Sequence, residues 1–155
     1  MQTKDAASEF LSKNRIAVTG VSRTAKTHGS NTIYKRLRDR GYEVFAVNPN
    51  AAEVEGDQAY SSLGSIPGGV DAVVIGTRPA RAAETMRECA ELGIGHVWMH
   101  WGAGGSSVSK AATDYGRSHG ITVIDGGCPL MFPPTSDFGH RVLRVVLAGR
   151  VPKQV

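Results

Sequence analysis

Residues 16–30 read IAVTGVSRTAKTHGS, an apolar run followed by a glycine and a polar, basic loop. The run at 16–18 is apolar throughout, which is typical of a strand covered on both faces of its sheet. Gly20 permits a tight turn, and the loop after it leads into a segment with the apolar spacing of a helix. A strand, a glycine turn and a helix in this order predict the start of a βαβ unit, and therefore a parallel sheet.

The same alternation of strand and helix continues along nearly the whole chain. Predicted strands cover 16–18, 44–47, 72–75, 96–99 and 121–124. Predicted helices cover about 6–13, about 31–40, a segment from Pro79 to Gly93, a segment capped by Ser106 or Ser107 that stops at Gly120, and about 136–149, capped by Ser136 or Asp137. This pattern predicts one doubly wound α/β domain over residues 1–155, with a five-stranded, mainly parallel sheet and helices on both faces.

The composition is that of a globular chain. With 155 residues, 41% of them hydrophobic and 21% charged, the chain suits one compact domain, and a disordered protein is excluded. Cys89 and Cys128 are too few for a disulfide framework. No stretch approaches about 18 consecutive apolar residues, and the N-terminus has no signal-peptide pattern. We therefore expect a cytoplasmic protein that is neither secreted nor embedded in a membrane.

The net charge favours an anionic partner. Eighteen Lys and Arg against fourteen Asp and Glu give a formal net charge of +4, and the pI is near 9.3. The aromatic residues lie scattered instead of clustering with the basic ones, which argues against a nucleic-acid interface. A phosphate-bearing small molecule fits this composition.

The loop after the first predicted strand has the features of a phosphate site. Its candidate binding residues are Gly20, Val21, Ser22, Arg23, Lys26 and Ser30. Arg23 and Lys26 bring positive charge, and no acidic residue lies between positions 20 and 30. The loop also opens a helix, whose first N–H groups attract phosphate. The alternative interpretation is an exposed βα loop that is polar because it faces water.

Two departures from known motifs argue against NAD. The G-x-G-x-x-G spacing is absent, and Asn48 and Pro49 follow the second strand, where NAD enzymes carry an Asp or Glu. The loop also lacks the G-K-[ST] ending of a P-loop. An NADP-dependent oxidoreductase stays open as an alternative, since Arg23 could contact a 2′-phosphate.

Several segments together are similar to one known family. These are residues 16–22, residues 41–49, Gly56 with Tyr60 and Leu63, residues 70–73, and residues 97–102. They resemble the CoA-binding domain family, a Rossmann-like domain that is also found at the N-terminus of the succinyl-CoA synthetase α subunit. The resemblance covers about residues 10–132. It implies binding of coenzyme A, or of an acyl-CoA, through the ADP moiety.

The resemblance also implies a role for each loop. Gly20 to Arg23 and the start of the helix predicted over about 31–40 would bind phosphates. Asn48 and Pro49 would line the adenosine. The loops after the third and fourth strands would flank the nucleotide and the start of the pantetheine arm, through Thr77, Arg78 and Pro79 and through His100, Trp101 and Gly102.

The sequence contains no evident catalytic set. His100, Cys128 and His140 lack the spacing of metal ligands, so we predict no metal site. A G-x-S-x-G nucleophile elbow is absent. We expect a stand-alone binding protein without catalytic machinery of its own, with a homodimer or another protein as a possible partner. A nucleotide-sensing regulator whose output is a protein contact is the alternative.

Cys128 has two interpretations of its own. It follows two glycines at the end of the fifth predicted strand, facing the expected ligand crevice. It is either a packed loop cysteine or a thiol near the pantetheine end that can form a mixed disulfide.

Overall fold

The computed structural model describes residues 1–24, 29–102 and 104–155. In these ranges the α-helices are α1 (Thr3–Leu11), α2 (Gly29–Asp39), α3 (Pro79–Glu91), α4 (Lys110–Ser118) and α5 (Phe138–Val146). The strands are β1 (Arg15–Thr19), β2 (Glu43–Val47), β3 (Glu53–Val54), β4 (Asp57–Tyr60), β5 (Ala72–Ile75), β6 (His96–Met99), β7 (Trp101–Gly102), β8 (Gly105–Ser106) and β9 (Thr122–Asp125). No helix in the described ranges is both long enough and apolar enough to cross a membrane.

Seven of the strands form one sheet, in the order β3-β4-β2-β1-β5-β6-β9. The strands from β4 to β9 in this order are parallel, and β3 is antiparallel to β4 at the edge. Counted along the chain, the six parallel strands lie in the order 3-2-1-4-5-6 of dinucleotide-binding sheets. The predicted doubly wound α/β fold is confirmed, but the predicted count of five strands is wrong.

The two strands of this sheet that the prediction missed, β3 and β4, form a hairpin at the sheet edge. Glu55 (φ 50°) and Gly56 (φ 79°) both have positive φ, as a type I′ turn requires. β3 has two residues, and in β4 only Ala59 is buried. Because neither strand carries an apolar run, hydrophobic periodicity gives no signal for them.

The start of α4 also differs from its prediction. The N-cap is Ser109, whose hydroxyl accepts a hydrogen bond from the amide of Ala112 at 3.3 Å, so the expected cap at Ser106 or Ser107 is wrong. Ser106 instead pairs with Trp101 in the hairpin of β7 and β8. This hairpin uses the residues immediately before the helix, and α4 therefore starts later than its apolar spacing indicates.

The core has two layers, one on each face of the sheet. On one face α1 and α2 pack against Ile16 and Val18, and on the other α3 and α4 pack against Ala17 and its neighbours. Trp98 is fully buried in the first layer, where its indole Nε1 donates to the carbonyl of Gly126 at 2.8 Å. Because helices cover both faces of the sheet, the carboxyl ends of the strands are the part of the sheet that remains open to a ligand.

The last helix, α5, does not pack on the core through its most apolar face. Four apolar residues at helical spacing along α5 are exposed, namely Phe138, Val142, Val145 and Val146. Leu143 and Leu147 pack against the first core layer instead. Asp137 caps the helix, as one of the two expected residues, by accepting a hydrogen bond from the amide of His140 at 2.7 Å.

Candidate functional site

The loops after β1 and β5 meet where the strand order reverses. β1 and β5 are neighbours, but α2 and α3, which follow them, cover opposite faces of the sheet. Gly20 has φ +77°, and a Cβ atom there would lie 2.7 Å from the carbonyl oxygen of Gly76. A Cβ on Gly76 would lie 1.8 Å from Oγ of Ser30 in the first turn of α2. Both positions therefore require glycine, and they join the loop, β5 and α2 at the crevice where doubly wound sheets bind ligands.

A buried asparagine holds the first loop against α2. Asn31 is fully buried, and its Oδ1 accepts a hydrogen bond from the amide of Ser22 at 2.8 Å. Its Nδ2 donates to the carbonyl of Ser22 and to Oε1 of Glu55, each at 2.8 Å. The sequence analysis missed Asn31, because an asparagine early in a helix gives no signal of which backbone it contacts.

The loop after β2 also contacts the first loop. Nδ2 of Asn48 donates to the carbonyl of Val21 at 3.0 Å, and its Oδ1 accepts from the amide of Asn50 at 2.8 Å. The side chain of Val21 is buried in the core, so its backbone is the part that faces the crevice. Pro49 is exposed. The structure thus brings the predicted residues of these two loops together.

The hydroxyl groups of the first loop are already engaged within the chain. Oγ of Ser22 accepts a hydrogen bond from the amide of Thr24 at 3.1 Å. Ser30 is buried, and its Oγ donates to the carbonyl of Gly76 at 3.4 Å. These serines shape the loop, and among its described residues Arg23 is the exposed charged side chain. The predicted phosphate-binding residue Lys26 lies outside the described residues.

Thr77, directly after β5, has a hydroxyl without an assigned role. Its Oγ1 is buried and has no hydrogen-bond partner among the described residues. Its amide nitrogen lies 3.1 Å from where a Cβ of Gly20 would be. An unpaired buried hydroxyl costs free energy, which a ligand group could recover by hydrogen bonding. Arg78 and Pro79 follow as the exposed N-cap and first residue of α3.

The ring of His100, directly after β6, packs between Gly29 of α2 and Gly102 of β7 and forms a wall of the crevice there. A Cβ on Gly29 would lie 3.0 Å from its Cε1, and a Cβ on Gly102 would lie 3.0 Å from its Nε2. Burial, together with the smaller effect of the charge of His140, lowers the pKa of His100 to about 4. The ring is therefore neutral at physiological pH. Trp101 lies next to it, with its amide donating to the carbonyl of Gly127 at 2.9 Å.

A cavity of about 160 Å³ lies beyond this wall, between α2, the β6 loop, the segment after β9 and α5. Cys128 lines it and is 3% exposed. Burial raises the pKa of the Cys128 thiol to about 12, which favours the packed cysteine over a reactive thiolate. In the part of the chain that the structure describes, no three His, Cys, Asp or Glu side chains are grouped so as to hold a metal ion.

Comparison with known proteins gives a family match and several relatives. A family model described as "CoA binding domain" matches residues 14–134. The chain is 32% identical over 149 residues to the α subunit of an ADP-forming acetate–CoA ligase II from Pyrococcus furiosus, covering 92% of this chain and 32% of that one. It is 33% identical over 128 residues to the uncharacterized protein YneT of Bacillus subtilis, covering 81% of this chain and 90% of YneT. The chain thus spans about a third of the length of the ligase subunit.

Solved structures show the same fold. A hypothetical protein from Pyrococcus horikoshii OT3 superposes with a TM-score of 0.77 at 24% identity, covering 91% of this chain and 92% of that one. A dinucleotide-forming acetyl-coenzyme A synthetase from Ca. Korarchaeum cryptofilum, in complex with phosphate and ADP, superposes with a TM-score of 0.60 at 20% identity. That match covers 72% of this chain and 25% of the synthetase.

Proposed function

The chain belongs to the CoA-binding domain family, and on this basis we propose that it binds coenzyme A, or an acyl-CoA, through the ADP moiety. The ligand would lie over the carboxyl ends of β1, β2 and β5. One observation carries the proposal: Gly20 and Gly76 approach each other at the point where the strand order reverses. This approach joins the loops after β1 and β5 beside the first turn of α2, where free N–H groups favour phosphate.

Charge supports phosphate binding at this place. Arg23 is exposed on the first loop, and Arg78 is exposed on the neighbouring loop after β5. Coenzyme A carries a pyrophosphate and a 3′-phosphate, so two guanidinium groups on separate loops suit it. We propose that Arg23 binds a phosphate together with the backbone of Val21 and Ser22. Lys26 stays a sequence-based candidate for the same role.

The remaining predicted residues would line the rest of the ligand. Asn48 and Pro49 would contact the adenosine. Asn48 also positions the backbone of Val21 in the first loop. Thr77 would offer its unpaired hydroxyl to the diphosphate or to the start of the pantetheine arm, beside Arg78 and Pro79. The neutral ring of His100, with Trp101 and Gly102, would form the opposite wall.

We propose binding without catalysis by this domain alone. A covalent mechanism needs a nucleophile, a base and an orienting group in contact. In the described part of the chain the crevice has no such set, and the buried Cys128 is held as a neutral thiol. The similar Pyrococcus subunit is named as part of a ligase, but this chain spans only about a third of it. A cytoplasmic location is part of the proposal, since both cysteines are free.

A competition experiment separates this function from an NADP-dependent enzyme. NADPH fluorescence would be titrated with protein, and coenzyme A would then be added. Unchanged NADPH fluorescence, together with coenzyme A binding in a separate calorimetric titration, supports the proposal. NADPH binding that coenzyme A cannot displace would make an oxidoreductase the better assignment.

The exposed face of α5 favours a second candidate function, a regulator that signals through a protein contact. Phe138 and Val145 on this face are 76% and 75% exposed, which is unusual for large apolar side chains. We propose a second copy of this chain as the partner, because two antiparallel α5 helices that cross at Val142 would place Phe138 of one copy opposite the smaller Val146 of the other. Sedimentation with and without coenzyme A tests this function, and a monomer under both conditions would exclude it. Val145→Glu should disrupt any dimer.

A further inference from the structure

We infer that the cavity behind His100 accommodates a short, uncharged acyl group, so that a short-chain acyl thioester is preferred over free coenzyme A. This inference rests on the proposed function, because it places the far end of the same ligand. It concerns the space between α2, the β6 loop, the segment after β9 and α5.

The size of the cavity limits what it can hold. Its volume is about 160 Å³. An apolar cavity of roughly 150 Å³ is enough to bind benzene, which has six carbon atoms. The cavity therefore suits an acyl chain of about two to six carbons, whereas a longer chain would have to extend beyond it.

The lining of the cavity is mainly apolar. Its walls include Ile33 of α2, Leu130 and Met131 after β9, and Leu143 of α5. Cys128 adds a neutral thiol, which acts as a small hydrophobic group here. Such walls stabilise methylene groups by burial, and a terminal thiol alone would leave most of the space unfilled.

The polar groups at the cavity do not favour a charged acyl group. His100 is neutral, so it offers no cation to a carboxylate such as that of a dicarboxylic acyl chain. His140 directs its Nδ1 to the carboxylate oxygens of Asp137, each at 2.9 Å, so the Asp137 carboxylate already compensates a charge on this ring. Among the described residues that line the cavity, none carries an acidic or lysine side chain.

The position of the cavity matches the reach of the pantetheine arm. The cavity extends from Gly29 and Thr32 at the start of α2 to Cys128, which follows β9, three strands or about 14 Å along the sheet from β1. The arm consists of three units of roughly peptide length, which span on the order of 10 to 14 Å when extended. A ligand with its diphosphate at Gly20 can therefore place its thioester beside the cavity.

The wall that closes the cavity comes from outside the family match. The family model ends at residue 134, whereas His140 and Leu143 belong to α5. Asp137 ties the start of α5 to α2 through Arg36, with a distance of 2.8 Å from Nη1 to Oδ2. The acyl pocket is thus a property that α5 adds to the domain.

Calorimetric titration with coenzyme A, butyryl-CoA, octanoyl-CoA and succinyl-CoA tests the inference. Each buried methylene adds roughly a factor of four in affinity, so butyryl-CoA should bind at least about tenfold more tightly than coenzyme A. Octanoyl-CoA should gain no more than butyryl-CoA, because its chain extends beyond the cavity, and succinyl-CoA should lack the gain. Equal affinity for coenzyme A and butyryl-CoA would overturn the acyl pocket and leave the proposed function standing. Absence of binding by all four ligands would overturn both.

A variant that fills the cavity provides the matched test. Leu143→Trp should remove the preference for butyryl-CoA while the affinity for coenzyme A stays the same. Arg141→Trp, at an exposed position of the same helix, is the control and should keep the preference. Leu143→Ala enlarges the cavity and should shift the preference towards longer chains, which keeps the inference testable if the Trp variant fails to fold. An unchanged preference in folded Leu143→Trp or Leu143→Ala would contradict it.

Discussion

A Cβ atom on Gly20 would lie 2.7 Å from the carbonyl oxygen of Gly76, so the loops after β1 and β5 can approach this closely only because residue 20 is glycine. Gly20 also has φ +77°, which other residues adopt only with strain. The two constraints act together at the place where the ligand is proposed to bind.

Gly20→Ala should therefore both destabilise the protein and abolish coenzyme A binding. The left-handed φ alone costs about 1 to 2 kcal/mol, and the contact with Gly76 adds to this cost. Gly41→Ala is the matched control, since Gly41 has φ +87° but open space within 4 Å of a Cβ. Thermal unfolding and ligand titration of both variants give the comparison. Equal loss of stability in the two variants would show that the contact with Gly76 is unimportant.

Arg23→Glu should weaken coenzyme A binding about tenfold or more, because repulsion of a phosphate replaces attraction. The binding that remains should depend less on salt concentration than in the unchanged protein. Lys4→Glu makes the same charge change at an exposed position on α1 and should leave the affinity unchanged. Unchanged affinity in Arg23→Glu would remove Arg23 from the site.

Asn31→Ala should lower the free energy of unfolding by about 2 kcal/mol, because the backbone of Ser22 and the carboxylate of Glu55 lose their partner. For a chain of this length that corresponds to a fall in Tm of roughly 4 to 8 °C. Coenzyme A affinity should fall as well, since the loop loses its anchor. Asn50→Ala, at an exposed position, serves as the control. Normal affinity in a folded Asn31→Ala would argue against a preformed loop.

Stability should fall as the pH drops from about 6.5 to about 4. The folded protein keeps the pKa of His100 at about 4, below the value of about 6.5 for an unfolded chain. Between these values the unfolded state binds the extra proton, so stability is complete above pH 6.5 and declines below it, by about 2 to 3 kcal/mol. His100→Gln removes this titrating group. Urea unfolding across this range should give a flatter profile for the variant, and parallel profiles would contradict the assignment.

The sequence was sufficient to predict the main strands, because those of the parallel sheet are continuous apolar runs such as 72–75. It was not sufficient for β3 and β4, which are short, polar and defined by a turn at Glu55 and Gly56. In addition, β4 pairs with β2, a contact with a part of the chain that lies outside the hairpin. The Glu-Gly pair is the one local signal that could have indicated the hairpin.

The candidate site was predictable in its loops but not in its contacts. Sequence position places Gly20, Asn48 and Thr77 after neighbouring strands, and the structure brings these loops together. The roles of Asn31 and Gly76 depend on distances across 9 and 46 residues of chain, which periodicity does not encode. Ser30 stays a predicted phosphate-binding residue, and the sequence does not show that its hydroxyl contacts the carbonyl of Gly76, directly after β5.

Isothermal titration with coenzyme A and dephospho-CoA at the same salt concentration tests the central claim most directly. The proposed function predicts that coenzyme A binds and that loss of the 3′-phosphate weakens the binding, since basic side chains on the loops bind phosphate. Absence of heat with coenzyme A, together with binding of NADP in a parallel titration, would contradict it.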